Sequence, residues 1–126
     1  MYRIGEFAKI TGLSITTLRY YDEIDLFKPE EIDIFTSYRY YNESQVEDIK
    51  TINDLKEIGF SLEEIKKYWN NFNNQIMLNK KQELIKEENL IKEKIKKLDI
   101  MRSQIVSGKI TQNIEKQDNI KIKSKY

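Results

Sequence analysis

Apolar positions change their spacing along this chain, and each change marks an element. Ile4, Phe7 and Ala8 fall on one face of a short helix that Gly12 ends. A glycine there suits a left-handed turn. Ser14 is a good N-cap, with Thr17 three residues on, and predicts a second helix over about 15–24. Its buried face is expected to use Ile15, Leu18 and either Tyr21 or Ile24. The two helices, joined by Thr11-Gly12-Leu13, form a helix-turn-helix. Pro29 stops anything helical before it, and the acidic, polar residues 25–36 read as loop. Ser37 to Tyr41 is aromatic with period two, as suits a strand of a small hairpin. Asn42 and Gln45 are spaced as a capping box. The helix they open carries Val46, Ile49, Ile52, Leu55 and Ile58, and Gly59 stops it. Ser61 and Glu64 open another, with Leu62, Ile65 and Tyr68 or Trp69 on one face.

After a polar joint at 71–75 the period lengthens to seven. Met77, Leu84, Ile91, Leu98 and Ile105 recur at every seventh residue, with Ile95 and Met101 between them. No glycine or proline interrupts residues 76–107, which predicts a helix ~45 Å long. A head of about 70 residues offers such a helix little apolar surface to bury. The seam therefore predicts a coiled coil with a second copy, a two-fold homodimer. Lys81, Glu88 and Arg102 interrupt it, and a lone charged helix packed on its own head is the plainer reading. Ser107-Gly108 ends the helix. Residues 108–126 read as a basic tail or as the start of a further domain, and the alternation in NIKIKSKY favours the second. The expected fold is mainly α. A winged helix-turn-helix head with a β-hairpin wing spans 1–70, and a dimerisation helix spans 76–107.

Charge sharpens this division. The net charge of +1 hides 9 basic and 14 acidic side chains in residues 1–70, against 13 and 7 in residues 71–126. The half carrying the helix-turn-helix is acidic, so DNA binding there must rest on local placement. Cysteine and histidine are both absent, which excludes thiolate metal sites, disulfides and a histidine base. Asp22, Glu23 and Asp25 cluster without such a base, and the four glycines form no phosphate loop. An enzyme and a bound cofactor are therefore not expected. No apolar run reaches the length of a membrane span and no signal core precedes residue 10, so a cytoplasmic protein is expected.

Two arginine-aromatic groups carry the candidate chemistry. Thr16, Thr17, Arg19 and Tyr20 lie in the first turns of the second helix, the part of a helix-turn-helix that faces base edges in the major groove. Arg19 can donate two hydrogen bonds to guanine or clamp a phosphate. The plainer reading pairs it with Asp22 or Glu23 and leaves Tyr20 and Tyr21 as core. Tyr38 and Arg39 are the wing candidates, placed to reach backbone or minor groove. The plainer reading pairs Arg39 with Asp33 or Glu43. Lys28 beside Pro29 is a further phosphate candidate.

The segments IGEFAKITGLSITTLRYYDEIDLFKP, TSYRYYNESQ and IKTINDLKEIGFSLEEIKK together resemble the MerR family of bacterial transcription regulators. The resemblance covers residues 2 to about 69 and is greatest to the multidrug-responsive branch of the BmrR type. It implies a winged-helix head and an antiparallel coiled-coil dimer formed through Met77, Leu84, Ile91, Ile95, Leu98, Met101 and Ile105. It also implies binding to a palindrome between the two promoter elements, where distortion of the spacer lets one dimer repress or activate RNA polymerase. Arg19, Tyr20, Tyr38 and Arg39 would contact double-stranded DNA, Tyr21 a phosphate, and Thr16 and Thr17 would set sequence preference. A small-molecule effector is implied only with a C-terminal domain beyond this chain, whose first strand IKIK resembles. Metal and redox effectors need cysteines that residues 99–115 lack. The alternatives are an excisionase-like or architectural DNA-binding protein and a dimeric protein-interaction module.

Overall fold

A computed structural model describes residues 1–108; the expected tail or further-domain strand lies outside the described residues. The chain divides into two compact units between Phe72 and Asn73.

The first unit contains β1 (Tyr2–Arg3), α1 (Ile4–Thr11), α2 (Ile15–Glu23), β2 (Glu31–Ile32), β3 (Arg39–Tyr41), α3 (Ser44–Ile58) and α4 (Leu62–Tyr68). The strands form an antiparallel sheet in the order β1-β3-β2, with Tyr2 opposite Tyr41, Arg3 opposite Tyr40 and Ile32 opposite Arg39. Strand β1 has no sequence signal, because two residues show no period. Strand β2 falls within the stretch expected to be loop. Strand β3 starts two residues later than Ser37, which takes a left-handed φ of 61° in the turn.

The predicted caps form. Gly12 closes α1 at φ 76°, and its N–H donates to the Ala8 carbonyl. The Ser14 hydroxyl accepts from Thr17 N–H at 3.0 Å. Asn42 and Gln45 exchange reciprocal 3.0 Å bonds at the start of α3, and Ser61 and Glu64 exchange bonds of 2.9 and 3.1 Å at the start of α4. The three N-terminal caps satisfy amide groups that the first helical turn leaves unpaired, and Gly12 satisfies a carbonyl of the last turn.

The core holds Phe7 and Ala8 from α1, Leu18 and Tyr21 from α2, Tyr41 from β3, Ile49, Ile52 and Leu55 from α3, and Ile65 from α4, with Phe27 and Phe60 from connections. Three rings stack nearly parallel at the root of the wing: Phe7 on Tyr41 at 4.4 Å, with Phe27 about 6 Å from each. Ile15, expected on the buried face, is exposed at the open first turn of α2. Ile58 is exposed and Val46 half-buried, although both continue the three-residue spacing. Each step of three falls short of a full 3.6-residue turn, so the ends of that row rotate off the core face. Gln45 fills the resulting place at the start of α3, its amide donating to the Lys28 carbonyl at 2.7 Å. Phe72, expected in the polar joint, packs edge-on to Phe60 and Tyr68 at 5.4 and 5.9 Å.

The second unit is built on α5 (Asn74–Val106), 33 residues capped by the Asn73 side chain, which accepts from Ile76 N–H. Met77, Leu84, Ile91, Ile95, Leu98, Met101 and Ile105 are 39–56% exposed along it. Among the described residues, no helix is long and apolar enough to cross a membrane.

Candidate nucleic-acid interface

Helix α2 displays the first group of candidates. Leu18 and Tyr21 turn inward, so Thr16, Arg19 and Tyr20 turn outward. Tyr20 is 48% exposed, and Arg19 makes no ion pair among the described residues. The expected alternative of an Arg19 pair with Asp22 or Glu23 is therefore not what the side chain does. Thr17 is half-buried, its hydroxyl accepting from Ser14 at 2.9 Å. Tyr21 is only 1% exposed, and its hydroxyl accepts from Lys56 Nζ at 3.1 Å. The Tyr21 ring is thus part of the core, with the Lys56 ammonium beside its oxygen.

The wing brings the second group to the same side. Arg39 Nε donates to Asp22 Oδ2 at 3.0 Å, an ion pair from β3 to α2. Its partner is therefore neither Asp33 nor Glu43. Tyr38 stands 47% exposed, and the Arg3 guanidinium lies 4.0 Å from its ring centroid. The turn beyond is organised by Asp33. Its carboxylate accepts from Phe35 N–H at 2.8 Å and Thr36 N–H at 3.0 Å, and its carbonyl accepts from Ser37 N–H at 2.8 Å. Those backbone bonds, to Thr36 above all, hold the Asp33 carboxyl below its usual range. The turn lifts Ile34 and Phe35, 87% and 91% exposed, to the tip.

Asp22 joins the two groups. It also accepts from Lys28 Nζ at 3.0 Å, and Asp25 pairs with the same ammonium at 2.8 Å. Burial pushes the Asp22 carboxyl up, but the bonds from Lys28 and Arg39 outweigh it and leave the group below its usual value. Lys28, held by two carboxylates, is pushed the other way, first by Asp25 and then by Asp22. Lys28 is thus engaged by two carboxylates, though its side chain is 57% exposed. Sequence reasoning missed Asp22 as the tie between helix and wing, and Arg3 as a member of the surface. Neither carries a spacing signal, because each meets its partner through a contact between elements distant in sequence.

The geometry is that of a helix-turn-helix with a wing braced against its second helix, and comparison with known proteins agrees. Residues 2–71 match the family described as MerR HTH family regulatory protein.

The chain belongs to the MerR family.

MerR relatives include the multidrug-efflux transporter 1 regulator of Bacillus subtilis, 56% identical over 66 residues, covering 52% of this chain and 24% of that protein. The transcriptional activator mta of the same organism is 36% identical over 101 residues, 78% of this chain and 39% of that protein. The chain thus spans about a quarter to two fifths of the length of these curated MerR relatives. The crystal structure of MtaN, the N-terminus of the Bacillus subtilis multidrug transporter activator, superposes with a TM-score of 0.72 at 35% identity, covering 80% of this chain and 97% of that one. The family so matched is one of helix-turn-helix regulatory proteins, and the match lies in the head.

Proposed function

We propose that the chain binds a promoter palindrome as a homodimer and distorts the spacer DNA between the two promoter elements. The observation that carries this reading is the Asp22–Arg39 pair, which braces the wing on α2 and leaves Arg19 unpaired on the same face. Thr16, Thr17, Arg19 and Tyr20 enter the major groove, where Arg19 reads a guanine edge. Tyr38 and Arg39 hold the flanking backbone. The dimer forms through the α5 row from Met77 to Ile105, whose exposed apolar side chains need a second helix to cover them. Bending of this kind costs on the order of several kcal/mol, which contacts at two half-sites offset.

The likeness to the multidrug-efflux transporter 1 regulator and to the multidrug transporter activator of Bacillus subtilis is what favours the multidrug-responsive branch. On that reading the regulator acts with RNA polymerase, in the cytoplasm, as repressor or activator. Response to a small molecule requires a C-terminal domain beyond this chain. The head spans 1–70, a joint 71–75, the dimerisation helix 76–107 and the entry to such a domain 108–126.

Selection from a random duplex library, followed by footprinting of the enriched sequence, tests the proposal. An inverted repeat protected on both half-sites is expected. Enrichment of a single half-site would remove the dimeric reading, and no enrichment would remove sequence-specific binding altogether.

A further inference from the structure

A small cleft of about 70 Å³ opens between the start of the chain and the wing, lined by Arg3, Ile4, Arg19, Ser37, Tyr38 and Arg39. Three arginines thus line one concavity in a head that is acidic overall. Among the described residues, the carboxylate ion-paired with any of them is Asp22, through Arg39 Nε alone. Arg19 and Arg3 form no ion pair there, and Glu6 accepts from the Arg3 backbone N–H at 3.1 Å, leaving the guanidinium unneutralised. Like charges gathered this closely repel unless an anion joins them.

Arg3 is held in place rather than left to swing. Strand β1 sets it opposite Tyr40, and Tyr38 lies two residues before that partner, just ahead of β3. The guanidinium covers the Tyr38 ring at 4.0 Å, a cation–π contact that keeps its N–H edge available. Arg3 also sits immediately before α1, whose first amides point toward an anion at that end.

We infer that Arg3, with Arg19 and Arg39, forms a phosphate-binding cleft that clamps one DNA phosphodiester per subunit, and that Arg3 is a DNA contact of this chain. The inference rests on the proposed DNA binding and adds a residue and a ligand group to it. The cleft prefers a single oxyanion to a base edge, because three arginines line about 70 Å³, too small a space for a base to enter. It is sequence-independent and fixes the register of the wing on the backbone.

The test uses the full chain and the duplex enriched from the random library, titrated by fluorescence anisotropy over a range of salt concentrations. Arg3→Ala keeps the backbone N–H that caps α1, so an unchanged circular dichroism spectrum is expected. Affinity should fall roughly tenfold or more at physiological ionic strength, and the slope of log K against log salt should flatten by about two for a dimer. Loss of the Tyr38 contact alone would leave that slope unchanged, since tyrosine carries no charge. Arg3→Lys should restore most of the slope. A methylphosphonate replacing the contacted phosphate should weaken wild type and leave Arg3→Ala indifferent. Wild-type affinity and slope in Arg3→Ala, with Arg19→Ala still impaired, would overturn the cleft and leave the proposed function standing. Weakening confined to one base substitution, with the slope intact, would overturn the phosphate assignment. Failure of the wild-type chain to bind any duplex would remove both.

Discussion

Asp22 Oδ2 lies 3.0 Å from Arg39 Nε, so one carboxylate on α2 fixes the arginine of the wing. The side chain of Asp22 is 12% exposed and that of Arg39 32%, so the pair is only partly screened by water. Asp22→Asn is expected to cost about 1–3 kcal/mol at neutral pH, as for loss of a hydrogen bond to a charged group. The folded carboxyl is depressed below 3.8. Its contribution is therefore complete above that value and is lost as pH falls through the depressed folded pKa. Urea unfolding of wild type and variant should differ at pH 7 and converge below pH 3.8. A difference that persists undiminished at the lowest pH would mean that the carboxylate charge is not the source.

Arg19 is displayed rather than packed, and its removal tests recognition without testing the fold. Arg19→Ala should leave the thermal transition within about 0.5 kcal/mol of wild type, as for most surface substitutions. Specific affinity should fall by roughly 2–6 kcal/mol summed over two half-sites. Anisotropy with the selected duplex reads the second quantity, and retained affinity would take Arg19 out of the interface.

Tyr41 is fully buried, and its hydroxyl finds no hydrogen-bond partner among the described residues. Burial first, and then the Asp22 charge, push that hydroxyl up to about 12. Removing an unsatisfied buried oxygen relieves its desolvation cost while the ring stack with Phe7 survives. Tyr41→Phe is expected to be neutral or to stabilise by about 1 kcal/mol in denaturant titration. A loss above that size would show that the hydroxyl is bonded in solution.

Ile91 and Leu98 are 54% and 56% exposed on α5. A carboxylate at either position in a coiled-coil seam is desolvated against its two-fold copy. Ile91→Glu or Leu98→Glu should give a monomeric mass by light scattering at micromolar concentration, with most of the helicity of the head retained. A dimeric mass would remove the seam as the contact.

Local chemistry was legible in the sequence, and chemistry across the chain was not. Gly12, Ser14, Asn42 and Ser61 act within three or four residues, and each cap stands where its spacing put it. Arg19 and Tyr20 face outward because their neighbours Leu18 and Tyr21 have an apolar core to face. The two-residue strands were beyond reading, since pairing in β1 and β2 depends on β3 and not on any pattern of their own. The same holds for Asp22, whose partner is 17 residues away, and for Phe72, whose polar neighbours hid its place against Phe60. The partners of Tyr21 and Lys28 were not legible either, because composition reports a group's chemistry and not what already engages it.

The stack of Phe7, Tyr41 and Phe27 has a mechanical consequence. The last residue of the wing strand is one of three rings in mutual contact, packed on the first helix through Phe7 and on the segment after the second through Phe27. Tilting the wing would shear those rings and open a void of aromatic size, at a cost of about 3–5 kcal/mol if one ring were lost outright. Helix and wing therefore steer as a single rudder. A signal that changes how DNA is held has to turn the entire blade.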